Sequence, residues 1–261
     1  MSVETPAALE VFDRIVCGID GTPEALEAAR QAECLRSPEG RLRLAAVTEV
    51  GTAVHAGWAM SHVLVELDAA AHAGLERAAA EVHPSSARML AGDPIPCLLD
   101  EIAQTKATLV AVGPRGHGRA AGILLGGVAA TLLHEAPCSV LLARQPQFGE
   151  FPSSIVVGVD GSPQSLAAAA VAHMLAERFG SEYLIVAAMG GNRIDVAPIQ
   201  TLSPYFVTDP GRPAEVLTDL SKEADLLVVG SRGLHGLRAL GSVSERVGQR
   251  ASSSVLVVRD P

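Results

Sequence analysis

Short apolar runs recur along the chain, and stretches with helical spacing separate them. "DRIVCGID" from Asp13 reads as a strand buried on both faces, because it is continuously apolar rather than alternating. Thr22-Pro23-Glu24 then carries a helix start: a hydroxyl cap, a proline in the first turn, then an acid. "LRLAAVTEV" predicts a second strand, and the Ala/Leu/Glu-rich "SHVLVELDAAAHAGLERAAAEV" a long helix. "ARMLAG" (strand), "PCLLDEIAQ" (helix) and "ATLVAVG" (strand) follow. A glycine-rich loop, a short helix from about Val128 to His134 and a last strand "SVLLAR" complete the unit. Strands alternating with helices predict an α/β fold, a doubly wound parallel sheet with helices on both faces.

The pattern then repeats. "SSIVVGVDGSPQSLAAA" from Ser153 matches "DRIVCGIDGTPEALEAA" from Asp13. "ADLLVVGSRG" matches "ATLVAVGPRG", and "RASSSVLVVR" matches "EAPCSVLLAR". Matched blocks in one order mark a tandem duplication. The expected domains are residues 1–146 and 152–261, with a short linker around Gln145 to Pro152. The offset between copies falls from 140 at Asp20/Asp160 to 119 at Gly92/Gly211, so about 21 residues are missing from the second copy, which lacks the long second helix. Only "GGNRIDVAP" lies between strand "YLIVAAM" and the next expected strand, "IQTLSPYFV". The apolar sheet surface so exposed is expected to be covered by the sister domain or by another chain.

Composition narrows the classes. Aromatic residues make up 3% of the chain, so the core is built from Ala, Val, Leu and Ile. The net charge of -9 argues against a non-specific nucleic-acid binder, which carries a basic face, but leaves room for a small anion held by local donors. Cys17, Cys34, Cys97 and Cys138 have no CxxC spacing and read as reduced thiols in a cytoplasmic protein. Cys97 lies near a helix start, where a thiol can become reactive; the inert reading is preferred. No signal peptide or membrane span is read, so no membrane partner is expected.

The chemistry concentrates in two loops per copy. One follows the first strand, at Asp20-Gly21-Thr22 and at Asp160-Gly161-Ser162. The other is glycine-rich, "GPRGHGRAAGILLGG" from Gly113 and "GSRGLHGLRALGS" from Gly230. If the first and fourth strands are neighbours, these loops face each other across one crevice. Glycines let backbone N–H groups approach a phosphate, a helix N-terminus favours an anion, and Arg115, Arg119, Arg232 or Arg238 could meet it. Asp20 or Asp160 could accept a hydrogen bond from a base or sugar. The bland alternative is that each aspartate only shapes its turn and caps the helix. The histidines and Trp58 read as surface and packing residues. The fragment Gly116-x-Gly118-x-x-Ala121 fits a dinucleotide pattern but follows the wrong strand, with no acid ending the next one.

On these residues both copies resemble the universal stress protein domain, marked by an Asp closing strand 1 and Gly-x2-Gly-x9-Gly-Ser/Thr after strand 4. The resemblance spans nearly the whole chain. It implies an adenine nucleotide alpha hydrolase-like fold with strand order 3-2-1-4-5, ATP with or without Mg2+ as ligand, and pairing of domains through their last strands, "SVLLAR" with "SVLVVR". In the first copy it assigns Gly113, Gly116, Gly118, Gly126, Gly127 and Val128 to the phosphates, and the backbone of Val47 to the adenine, with Ala188 as its loose counterpart. In the second it assigns Gly230, Gly233, Gly241, Ser242, Val243 and Ser244. The copies depart from the pattern in opposite ways. The first keeps nine residues between Gly116 and Gly126 but has Gly127 where Ser or Thr belongs; the second keeps Ser242 but has seven residues between Gly233 and Gly241. The first copy ranks slightly ahead as the nucleotide site. The expected role is a stress-response regulator or sensor, the alternative a scaffold of the same fold that no longer binds nucleotide. Without a clear general base, unless Asp20 serves, catalysis is at most slow ATP hydrolysis. A homodimer of tandem chains, a four-domain assembly, is also expected.

Overall fold

The computed structural model describes residues 12–48, 58–116, 125–147, 149–190, 194, 196–203, 205–231 and 242–259. The first copy supplies β1 (Arg14–Ile19), α1 (Pro23–Leu35), β2 (Arg41–Thr48), α2 (Trp58–Val82), β3 (Ser86–Ala91), α3 (Pro94–Thr105), β4 (Leu109–Val112), α4 (Gly127–Glu135) and β5 (Ser139–Leu142). The second supplies β6 (Ser154–Gly158), α5 (Pro163–Phe179), β7 (Glu182–Ala188), α6 (Ala197–Leu202), β8 (Val207–Asp209), α7 (Pro213–Leu220), β9 (Leu226–Gly230), α8 (Ser242–Arg250) and β10 (Ser254–Val258). The strands form one sheet in the order β3-β2-β1-β4-β5-β10-β9-β6-β7-β8. Each half is parallel in the 3-2-1-4-5 order, and the two halves join through antiparallel β5 and β10. The expected five-stranded sheets are therefore halves of one ten-stranded sheet.

Helices cover both faces because the strands are apolar on both. On β1, Ile15, Cys17 and Ile19 pack with α1 and α2, while Val16 packs on the opposite side with Leu98 of α3 and Leu132 of α4. The helix starts follow the sequence signals. Thr22 Oγ1 accepts from Ala25 N at 3.2 Å and Ser162 Oγ from Ser165 N at 3.3 Å, each just before a proline.

The seam carries reciprocal hydrogen bonds. Arg144 N donates to Ser254 Oγ at 2.9 Å, and Arg259 N donates to Ser139 Oγ at 3.1 Å. These are the same two positions of the repeat. The Arg144 guanidinium donates to the carbonyls of Gly248 (2.7 Å) and Ser253 (3.1 Å), near the end of α8, and Arg259 donates to the Leu133 carbonyl near the end of α4. A cation suits a helix C-terminus. Burial, with the charge of Arg115, pushes the Arg144 guanidinium down to about 10, so it stays charged at neutral pH. On the other face, Gln31 of α1 accepts from Ser254 Oγ at 2.8 Å and donates to the Arg144 carbonyl at 2.7 Å.

The second copy differs from expectation between β7 and β8. The segment read as strand "IQTLSPYFV" begins instead as the six-residue helix α6, and only Val207–Asp209 extends the sheet. Pro198 at the start of α6 suits a first helical turn and would interrupt a central strand. The uncovered face is closed from within the chain: Ile199 of α6 is fully buried with Ile185 and Ala187 of β7, and Ile194 and Phe206 pack against them. Neither the sister half nor a second chain is required there.

Arg144→Ala removes two charge-assisted hydrogen bonds from the seam. The unfolding free energy in urea should fall by about 2 kcal/mol, with Arg259→Ala acting in the same direction. A fall below about 0.5 kcal/mol, the range of an inert surface substitution, would mean the strand ladder alone holds the halves.

Candidate functional site

The reversal of strand order falls between β1 and β4, so the connections after these strands diverge and leave a crevice at their carboxyl ends. It holds a cavity of about 330 Å³. Gly18, Ile19 and Asp20 line it from β1, Ala45, Val47 and Thr48 from β2, and Gly113, Arg115 and Gly116 from the loop after β4. Pro94 and Leu98 of α3, Gly127, Val128 and Ala129 of α4 with the preceding Gly126, and Asp68 and Ala71 of α2 close it.

Asp20 has two faces. Oδ1 accepts from Thr22 N at 2.9 Å and Thr22 Oγ1 at 2.5 Å, the turn-shaping role of an Asx turn. Gly21 between them sits at φ +85°, where a side chain would be strained. Oδ2 points across to Gly116, where a Cβ would lie 3.0 Å from it. One oxygen is thus structural and the other lines the crevice.

The glycines divide similarly. A Cβ on Gly113 would stand 2.9 Å from Glu24 Cβ and 3.0 Å from Glu24 C, so this glycine lets β4 pass the first turn of α1. Its counterpart Gly230 would place a Cβ 2.5 Å from Gln164 O. These two serve helix packing as well as the loop. Gly126 N donates to Pro114 O at 2.7 Å and closes the loop on itself. The α4 start at Gly126 has no side-chain cap, so its first-turn N–H groups open onto the cavity where an anion would be favoured. Exposed Arg115 stands at the same end. Val47 lies past the β1–β2 ladder, which ends at Ile19–Ala46, while pairing to β3 continues through Thr48–Ala91. Its backbone edge on the β1 side therefore faces the crevice. Gly118, with Arg119, lies outside the described residues.

The equivalent crevice of the second copy holds about 80 Å³. Asp160 Oδ1 accepts from Ser162 N at 3.0 Å and Ser162 Oγ at 2.5 Å, with Gly161 at φ +81°. Leu217 of α7 presses on Gly158, where a Cβ would be 2.6 Å from Leu217 Cδ1. Ile194 stands among the lining residues, and no long helix like α2 supplies a roof. Val243 and Ser244 line this pocket, as does Gly230. Ser244, read as a phosphate hydroxyl, is buried and donates to the Gly230 carbonyl at 2.9 Å. Arg232, Gly233, Gly241 and Arg238 lie outside the described residues, as does the side chain of Ser242.

Asp68, which lines the first crevice, and Gly74, which seats its helix, belong to no motif. Gly74 of α2 lies against the strand-1 loop so closely that a Cβ would overlap Gly21 Cα. Asp68, two turns earlier, lines the cavity. The available signal was its phase: Ala71, Leu75, Ala78 and Val82 form the buried stripe of α2, and Asp68 falls on that stripe. Cys97, considered as a reactive thiol, lines neither cavity; burial and the nearby Asp100 and Asp93 push it up, away from the thiolate.

Two doubly wound halves, each with a crevice at its strand-order reversal, define a duplicated α/β protein. The family model for the universal stress protein family matches residues 12–144 and 195–259. This chain belongs to that family. Universal stress protein Rv1996 of Mycobacterium tuberculosis is 31% identical, over 95% of this chain and 95% of the relative. Universal stress protein Rv2623 of the same organism is 30% identical, over 94% and 96%. The crystal structure of a universal stress protein from Archaeoglobus fulgidus shares the fold with a TM-score of 0.70 at 18% identity, covering 95% of this chain and 98% of that one.

Gly113→Ala and Gly230→Ala should each destabilise the protein by about 1–3 kcal/mol through forced backbone shifts. Gly230→Ala should cost more, since its Cβ would come within 2.5 Å of helix backbone, against 3.0 Å at Gly113. Denaturant midpoints of the two variants check the order.

Proposed function

We propose that this universal stress protein binds ATP or a related adenine nucleotide in its first-copy crevice and acts through that binding as a cytoplasmic stress-response regulator or sensor. The observation that carries the reading is the cavity of about 330 Å³ itself. Its size is at the scale of small-molecule sites. Its lining runs from an apolar and backbone end (Ala45, Val47, Pro94, Leu98) to an anion-favouring end (Arg115 and the uncapped α4 start), with Asp20 between. That order matches base, sugar and phosphate. Residues 1–146 act as the binding domain. Residues 152–261, with the small crevice and Ser244 already engaged, act as the structural partner. A companion Mg2+ would be held chiefly by the phosphates, since among the described residues no group of three His, Cys, Asp or Glu could hold a metal. Four free cysteines suit a reducing compartment, and no described helix is long and apolar enough to cross a membrane.

ATP titration of the wild type, Asp20→Ala and Asp160→Ala checks this. Binding should be lost or weakened at least about tenfold only in Asp20→Ala, the effect of one charge-assisted hydrogen bond. At saturating ATP, about 100 times Kd, thermal unfolding should report about 2.7 kcal/mol of stabilisation. Absence of wild-type binding at millimolar ATP would favour the scaffold reading.

A homodimer of tandem chains belongs to the same proposal. Tyr205 is 86% exposed and Val207 51% exposed at the β8 edge, where the longer helix is missing. Sedimentation should then show a species of twice 26.9 kDa that Tyr205→Lys weakens, and a single 26.9 kDa species at all concentrations would refute it.

A further inference from the structure

Asp68 is the unusual group of the first crevice. It belongs to α2, sits on that helix's otherwise apolar buried stripe, and lines the cavity. Its Oδ1 is buried and, among the described residues, has no hydrogen-bond partner. Its Oδ2 lies 3.7 Å from His72 Nδ1, on the more exposed side. Burying a carboxylate oxygen without a partner is costly, so an acceptor of this kind on a core-facing stripe calls for a donor. An ionised carboxylate can only accept, so what it meets is a hydroxyl or an N–H and not a phosphate oxygen.

The position of α2 says which part of a ligand that is. Gly74 holds α2 against Gly21, next to Asp20. Asp68, about 9 Å further along the helix by its rise of 1.5 Å per residue, therefore stands beyond the end of β1, over the crevice. It comes from the α1–α2 face of the sheet. The apolar pair Pro94 and Leu98 comes from the α3 side, and the anion-favouring end from Arg115 and α4. A nucleotide with its base against Val47 and Leu98 and its phosphates at Arg115 turns its sugar toward Asp20 and Asp68.

We propose that Asp68 is a specificity residue of the first site, accepting a hydrogen bond from a ribose hydroxyl of the bound nucleotide through Oδ1. This rests on the nucleotide reading of the crevice. Asp20 Oδ2 and Asp68 Oδ1 together offer two acceptors to a vicinal diol. Among the described residues of the second copy none takes this place: the long helix that carries Asp68 is missing there, and Ile194 stands among the lining residues.

The test is calorimetric titration of the full chain with ATP, 2′-deoxy-ATP and 3′-deoxy-ATP, for wild type and Asp68→Ala. Wild type should prefer ATP to at least one deoxy analogue by about tenfold or more, the effect of losing one hydrogen bond to a charged group. Asp68→Ala should weaken ATP by a similar factor, leave that analogue unchanged, and so erase the preference. Without ligand the variant's Tm should match or exceed wild type, because an unpartnered buried acceptor has gone; this separates a lost contact from a lost fold. Equal wild-type affinities, or a preference that survives in Asp68→Ala, would overturn the role of Asp68 while leaving nucleotide binding intact. No wild-type binding of any of the three would overturn the nucleotide reading and this assignment with it.

Discussion

The antiparallel pairing of β5 with β10 is the contact on which the molecule depends. Every other strand pair is parallel and lies within one copy, so this ladder alone makes ten strands one sheet. It also fixes an approximate two-fold relation, visible in the matched bonds of Arg144 to Ser254 and Arg259 to Ser139. Because the halves run in opposite directions, their strand carboxyl ends lie on opposite edges of the sheet. The two crevices therefore open away from each other. Whatever one binds, the other does not touch it directly.

The copies have diverged by exchanges that keep hydrogen bonds satisfied. In the first copy Thr108 Oγ1 donates to Asp13 Oδ1 at 3.2 Å; in the second the acid has moved to Asp225 and the hydroxyl to Ser153. Donor and acceptor have traded places while the hydroxyl–carboxylate bond survives, as expected when an orphaned group is the costly outcome. Elsewhere the copies differ outright. Glu101 of α3 is buried between Arg43 and Arg88, and the equivalent second-copy positions are Leu220, Leu184 and Val207. A buried ion pair and an apolar patch are close alternatives in free energy, so such a substitution is tolerated only when its members change together.

Much of this was legible in the sequence. Continuous apolar runs such as "RIVCGI" and "SVLVV", short and rich in β-branched residues, read as strands covered on both faces. Thr22-Pro23 and Ser162-Pro163 fix two helix starts by their own chemistry. The described ends of the glycine loop (Gly113, Arg115, Gly116, Gly126 and Gly127) and Asp20 line one crevice, as their placement after neighbouring strands requires. What stayed hidden depends on contacts distant in sequence. "IQTL" has no strong local preference, and it becomes helix because Ile199 can bury against β7. Gly113 lines the crevice, and its close packing on the first turn of α1 is a further constraint that the loop motif does not show. The phase of Asp68 on α2 is readable in the sequence, but its position over the crevice depends on the long-range contact of Gly74 with Gly21.

The same contacts explain where the copies were free to differ. Helix α1 begins at Thr22 beside Asp20, and α5 begins at Ser162 beside Asp160. At the far ends Arg178 of α5 donates to the carbonyls of Cys34, Leu35 and Arg36 at the end of α1, at 3.2, 3.3 and 2.7 Å. Each crevice thus rests on a helix whose other end is held by the sister copy, and neither floor can shift without disturbing the seam. The roofs carry no such tie. Helix α2 and the short α6 lie on opposite flanks of the ten-stranded sheet, away from β5 and β10. A change there alters cavity size, from about 330 to about 80 Å³, and leaves the shared sheet in register. Loss of a helix on one flank is therefore compatible with a complete crevice on the other.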